Sequence, residues 1–351
     1  MKHAIFMIFL ALIPSVASAR YNKAEMKQMQ AFLMAPAERD ATNARALKIS
    51  NINDPTTWEG VVVENGRIAE IKWKDKHLAG NLNLSGFTAL RSADVSYNKL
   101  TSVTTAGDSA LTDINLSHNR LTSVDVTNCP QLTTVVVNNN RLTEITLENV
   151  PFLRTLNLAN NFFVALDLSG SATLQTLDCQ DNRLESLLVN YCTALKNLYA
   201  GYNRLTGMTF VGVENLTNLS IDDNRIANMI VSGLPSLSTF VCSDNNMKTL
   251  GIRNCPVLLD LVCSYNDLTE LTVSQCPKLV FVDCSYNDLT TLDLSNQTLL
   301  ERLLCDNNEL TTLDVSFDQA LTYVSCRYNQ IIDLRTIACP NLRMIACRWN
   351  Y

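Results

Sequence analysis

The chain has few of the groups that do chemistry. Of its three histidines only His77 and His118 lie past the first twenty residues, so general acid–base pairs built on imidazole are nearly excluded. No G-x-S-x-G, H-E-x-x-H or Gly-rich phosphate loop occurs. No C-x-x-C pair occurs either, which removes the common zinc and redox-dithiol signatures. Past residue 19 there is no run of 18 apolar residues, so no spanning helix and no membrane insertion are expected. Basic excess is absent as well: the net charge is −6, which argues against nucleic acid or an anionic bilayer as a bulk partner.

What is present is a period. Thirteen asparagines stand 21 residues apart without a gap, from Asn98, Asn119 and Asn140 to Asn308, Asn329 and Asn350. Eight residues before each is a leucine, from Leu90 to Leu342. Five before is an apolar residue, such as Ile114, Leu177 or Phe240. Three before is Val95, Leu116, Val137 or Leu158 early in the chain and mostly cysteine later. The unit reads L-x-x-L-x-C-x-x-N-x-L-x-x-L-x-V/L-x-x-C-P-x. The period matches neither 3.5 nor 3.6, so a coiled coil is excluded. A strict period of this length means a stack of similar turns, none of which could bury its apolar face alone.

This unit resembles the leucine-rich repeat family across residues 90–351, about three quarters of the chain. The resemblance implies a solenoid: a curved parallel sheet of short strands, one per turn. Strands ~4.8 Å apart would make a stack roughly 58 Å long. Twenty-one residues leave little room for a helix on the return path, which is expected to be extended segments and tight turns stiffened by prolines such as Pro130, Pro151 and Pro256. The asparagine amide carries donors and an acceptor, so it is expected to satisfy backbone groups of its own turn and the next. The cysteine ladder looks most like bacterial internalin-type repeats, one branch of which carries cysteine at this strand position. That resemblance implies a surface protein that binds host or partner molecules rather than an enzyme. The family's wall-sorting L-P-x-T-G motif is missing here.

The remaining segments divide the chain. Residues 1–19 have a short basic start, an apolar stretch Ala4–Val16 and Ala17-Ser18-Ala19, and read as a secretory signal cleaved near Ala19. The product is expected to be secreted, on the cell surface or periplasmic. Residues 20–58 form a helical N-terminal cap, with helices expected over Ala24–Met34 and Ala37–Ile49 on either side of Pro36. Residues 59–89 hold the first strands, with a hairpin turning at Asn65-Gly66. They also hold an irregular leading repeat in which His77 stands in the asparagine place. At the other end only Tyr351 follows Asn350, which leaves the last strand an open edge; a truncated or fraying array is expected ahead of an edge self-paired in a dimer.

Seven of the twelve cysteines share the position three before the asparagine (Cys179, Cys242, Cys263, Cys284, Cys305, Cys326, Cys347). Five share a second (Cys129, Cys192, Cys255, Cys276, Cys339). Other repeats put Leu, Val, Ala or Ile at the first position, so it is a small apolar core site and the thiols are expected to be free and buried. A disulfide within one turn is the alternative.

Binding candidates lie on the concave sheet at two, four and six residues before the asparagine. Early turns place polar groups there, among them Asp94, Asp113, Asn157 and Asp178. Late turns place Val241, Val262, Phe281, Leu304, Tyr323 and Met344, with Arg302, Arg327 and Arg348 among them. An apolar patch edged by charge is what an interaction site looks like, although a covering domain would need the same surface. A second set lies beside the asparagines: Tyr265, Tyr286 and Tyr328 one residue before, and Arg120, Arg141, Arg183, Arg204 and Arg225 one residue after. No cofactor and no metal site is expected. Asp181, Asp222, Asp223 and Asp244 gather acid, but repeat turns are commonly acidic for solubility. The expected partner is a protein or glycoprotein, host-cell surfaces included. The alternative is an envelope-assembly module with a partner in the same cell.

Overall fold

The computed structural model describes residues 21–350, and the leader expected over residues 1–19 lies outside them. Asn22 starts the first helix, α1 (Lys23–Met34), by accepting the Ala24 and Glu25 amides on its side chain. Pro36 ends it, holding Ala35 in an extended conformation. The second helix, α2, is one turn only (Asn43–Ala46), not the thirteen residues expected over Ala37–Ile49. The reason is tertiary. The Asn43 amide donates to the Phe32 and Ala79 carbonyls and accepts from the Ala79 amide, which ties this segment to the first repeat. A strand pair follows, β1 (Val61–Glu64) and β2 (Arg67–Lys72), antiparallel about Asn65 and Gly66. Both turn residues have positive φ, 50° and 74°, as a type I′ hairpin turn requires.

The cap covers the start of the core with aromatic rings. Phe32 stacks on Trp73 at 6.2 Å, and Trp58 tilts against Trp73 at 6.4 Å. Each indole is both buried and satisfied, Trp58 donating to the Asn51 carbonyl and Trp73 to Glu59.

From β2 onward the chain is a solenoid. One sheet of fifteen strands runs the length of the molecule, parallel throughout except for β1. Each repeat supplies three residues, as Thr176–Asp178 does, in register with the residue 21 earlier and 21 later. The middle residue is buried and its neighbours face out. The return path carries short strands too, but in four separate sheets of two or three strands each. This is the leucine-rich-repeat solenoid that the sequence pattern implied, with its non-helical return side.

Every asparagine of the series binds backbone, but backward rather than forward. Asn266 donates through Nδ2 to the Cys263 and Ser264 carbonyls of its own turn and to Cys242 of the preceding turn. Its Oδ1 accepts the Met247 amide, also of the preceding turn. Asn119, Asn182 and Asn308 repeat the donor pattern. The expected reach to the following turn is therefore corrected: that direction is served by main-chain amides such as Tyr97, which donates to Ser117. His77 does not hold the asparagine place either. The leading repeat is one residue longer there, so Asn98 Oδ1 takes the Lys76 and Leu78 amides while His77 faces Glu38 at 3.6 Å.

All twelve cysteines are free; ten are buried, Cys339 is half-buried and Cys347 is exposed on the last described turn. The expectation of buried thiols thus fails at Cys347, because no described turn is stacked beyond it. Burial pushes Cys326 up to about 12 and Cys179, Cys242 and Cys284 higher, so these thiols stay protonated and serve as core. The second series has a further use: Cys129 and Cys192 each donate at 3.1 Å to a carbonyl of the preceding turn, Thr105 and Leu168. In the same place Asp108 is buried, accepts the Phe87 amide, and is pushed by desolvation up to about 8.

Candidate functional site

The long sheet arranges its outward residues in columns. In the column six before the asparagines, Phe281, Arg302, Tyr323 and Met344 stand on consecutive strands. In the column four before, Val241, Val262, Asp283 and Leu304 do the same. Val241, Val262, Phe281, Leu304 and Tyr323 are half-buried by their neighbours, whereas Arg302 and Met344 are exposed. The eight side chains therefore share one face, and the apolar ones are contiguous.

Arg302 is at the middle of it. Its guanidinium lies 5.5 Å from the Phe281 ring and 5.8 Å from the Tyr323 ring, held between the two. Among the described residues of the late turns, ion pairs within 4.0 Å form at Arg335, with Asp314 and Asp333. Arg302, Arg327 and Arg348 join none. Arg302 is thus placed by aromatic contact while its five N–H donors remain for a ligand.

Arg327 and Arg348 lie at the edge of this face, two before their asparagines. That column varies along the stack, and in it Ser243 and Ser264 are buried and linked at 3.0 Å. Further along, Asp306 occupies it and accepts the Ser325 hydroxyl at 2.7 Å and the Arg327 amide at 2.6 Å.

The second set of candidates sits elsewhere, on the turn at the end of the strands. Tyr265 and Tyr286 stack at 4.3 Å and 8°. Tyr328 stacks on Trp349 at 5.8 Å, and Tyr97 on His118 at 4.0 Å. All thirteen residues of this column have positive φ, between 50° and 63°. Left-handed backbone disfavours β-branched side chains, so the column consists of Tyr, Asn, Asp, His and Trp. Part of its composition is thus a backbone requirement. One position after the asparagines, Arg120, Arg141, Arg183, Arg204 and Arg225 are exposed. Arg120 is taken by Glu38 of the cap at 3.4 Å, and Arg183 lies over Phe162 at 4.5 Å. Sequence reasoning missed Glu38, which also approaches His77 and Lys99.

Among the described residues no group of three or more His, Cys, Asp or Glu is arranged to hold a metal ion. No described helix is long and apolar enough to cross a membrane.

Comparison with known proteins places the fold. No protein-family model and no curated protein matches the chain. Solved structures do. YopM, a leucine-rich effector protein from Yersinia pestis, is 21% identical with a TM-score of 0.55, over 80% of this chain and 88% of that one. The leucine-rich-repeat protein LIC12759 from Leptospira interrogans is 21% identical with a TM-score of 0.51, over 70% of this chain and 74% of that one. The functional domain of InlJ from Listeria monocytogenes, which includes a cysteine ladder, is 24% identical over 76% of this chain and 67% of that one, with a TM-score of 0.45. The chain is a leucine-rich-repeat solenoid.

Proposed function

We propose that this chain is an exported, non-catalytic recognition protein that binds a protein or glycoprotein partner through the concave face of its long sheet. The observation that carries the reading is Arg302, clamped between Phe281 and Tyr323 with no carboxylate partner among the described residues. Arginine and aromatic residues at the centre of an apolar patch are the usual anchors of protein interfaces. A partner carboxylate flanked by apolar side chains would complete the site. Val241, Val262, Leu304 and Met344 would exclude water around it. Export rests on the basic start, apolar stretch and small-residue site of residues 1–19.

The test compares the protein with a Phe281→Asp/Tyr323→Asp double variant on immobilised host-cell surface and matrix components. Circular dichroism confirms that both fold alike. The parent is expected to bind and the variant to lose about a hundredfold in affinity. Equal binding by both would move the site off this face. Binding confined to envelope material of the producing cell would replace adhesion with the envelope-module role.

A further inference from the structure

We infer a second interaction surface: the ledge of Arg141, Arg183, Arg204 and Arg225 beside the asparagines takes an acidic, extended segment of a protein partner, laid along the axis of the stack. From residue 141 to 225 five consecutive turns put Arg, Phe, Arg, Arg and Arg at this position, all exposed. Turns ~4.8 Å apart bring like charges close enough to repel. Among the described residues, no carboxylate lies within 4.0 Å of any of the four guanidinium groups; the ion pairs of this column form at Lys99 and Arg120 instead.

Those two rungs show what the rest of the ledge is suited to hold. Glu38, from the cap, lies across both, 4.0 Å from Lys99 and 3.4 Å from Arg120. One peptide carboxylate thus bridges two adjacent turns. Beyond it the same column continues without such a group. Arg183 is held over the Phe162 ring at 4.5 Å and lines an open groove of about 560 Å³ with the side-chain amides of Asn139 and Asn160. The guanidinium is therefore oriented over a ring, in a groove lined mainly by asparagines with one carboxylate, Asp181.

The spacing selects the occupant. Two rungs span ~9.6 Å, and residues three apart on a polyproline-II segment return to the same face after ~9.3 Å. Asp181 and Asp223 stand on the neighbouring column, where Asp223 is raised by burial and by the nearby Asp244. These carboxylates would repel an unbroken polyanion such as nucleic acid or a uronic-acid polymer. A peptide whose acidic residues are separated by neutral ones carries less charge past them than a polymer charged at every unit. Recognition of acidic segments by arginine clusters is a known mode of peptide binding.

The experiment is fluorescence anisotropy of a dye-labelled peptide of Glu-Ser-Ser repeats with the full chain, at low and high salt. Polygalacturonate is tested in parallel. The parent is expected to bind the peptide in a salt-sensitive way. The Arg141→Gln/Arg204→Gln/Arg225→Gln variant is expected to bind about tenfold more weakly. Glu38→Gln is expected to bind more tightly, because Lys99 and Arg120 are released. The Phe281→Asp/Tyr323→Asp variant is expected to bind as the parent does, which separates this surface from the sheet face. Unchanged binding by the triple variant overturns the inference, and so does loss of binding in the Phe281→Asp/Tyr323→Asp variant. Binding of polygalacturonate in place of the peptide overturns the assignment of a peptide partner.

Discussion

The two sides of the solenoid are held by different means. On the strand side the sheet is continuous over fifteen strands, and every turn from Asn98 onward has a side chain cementing it to the one before. On the return side the strands fall into four short sheets, and main-chain pairing lapses to one isolated bridge, Asp125 with Thr146, where a groove of about 480 Å³ opens beside Ile145 and Leu168. Both sides share one core. Continuity therefore does not come from apolar burial alone. It follows the residue that can donate and accept at once, and where none recurs the ladder breaks.

The largest expected effect comes from deleting that residue. Asn266→Leu strands the Met247 amide and takes one of two donors from each of the Cys242 and Cys263 carbonyls, which keep Asn245 and Asn287, and is expected to cost about 2 kcal/mol. On the return strand of the next half-turn, Thr272→Ala removes only an exposed bond to Glu270, and is expected to change stability by no more than about 0.5 kcal/mol. Urea unfolding of the two variants decides it: similar losses would mean the cement is not the amide.

A mid-sized effect should depend on pH. Asp108 is fully buried on the return side, and its Oδ2 has no partner among the described residues. Its folded pKa, about 8, lies above the ordinary 3.8. The stability it contributes is then fully present below pH 3.8 and is lost as pH rises through about 8. Asp108→Asn should flatten that slope, which is expected to amount to a few kcal/mol, roughly. Thermal melts of both proteins across this range measure it. An equal slope in the variant would assign the pH dependence to other groups.

The smallest effect concerns thiols. Cys347 is the one exposed cysteine and is expected to react quickly with a thiol reagent in the native protein, while the buried thiols wait for unfolding. Several fast thiols would contradict the packing. Cys347→Val should leave stability within ~0.5 kcal/mol.

Much of this was legible because periodicity exposes it. Leu, Cys and Asn recur at fixed offsets, so the core, the strand phase and the columns of Phe281, Arg302 and Tyr323 could be assigned by counting. Contacts between distant segments could not. The single-turn α2 depends on Asn43 finding Ala79, and the occupied rungs Lys99 and Arg120 depend on Glu38 from the cap. The direction of the asparagine bonds was also hidden, since composition gives an amide's capacity but not its aim. One clue was available and unused: the residue before each asparagine is never β-branched, which signals left-handed backbone.

The backward aim of the asparagines has a consequence for synthesis. A turn leaving the ribosome carries the group that fastens it to the turn already made, as Asn266 does to Cys242 and Met247. Growth can proceed vectorially, each addition locking the last without waiting for a later one. Loss of distal turns would leave every remaining asparagine with its partners, whereas loss of proximal turns would strip the first remaining asparagine of its anchor. Lengthening or shortening such a molecule is therefore easier at its distal end.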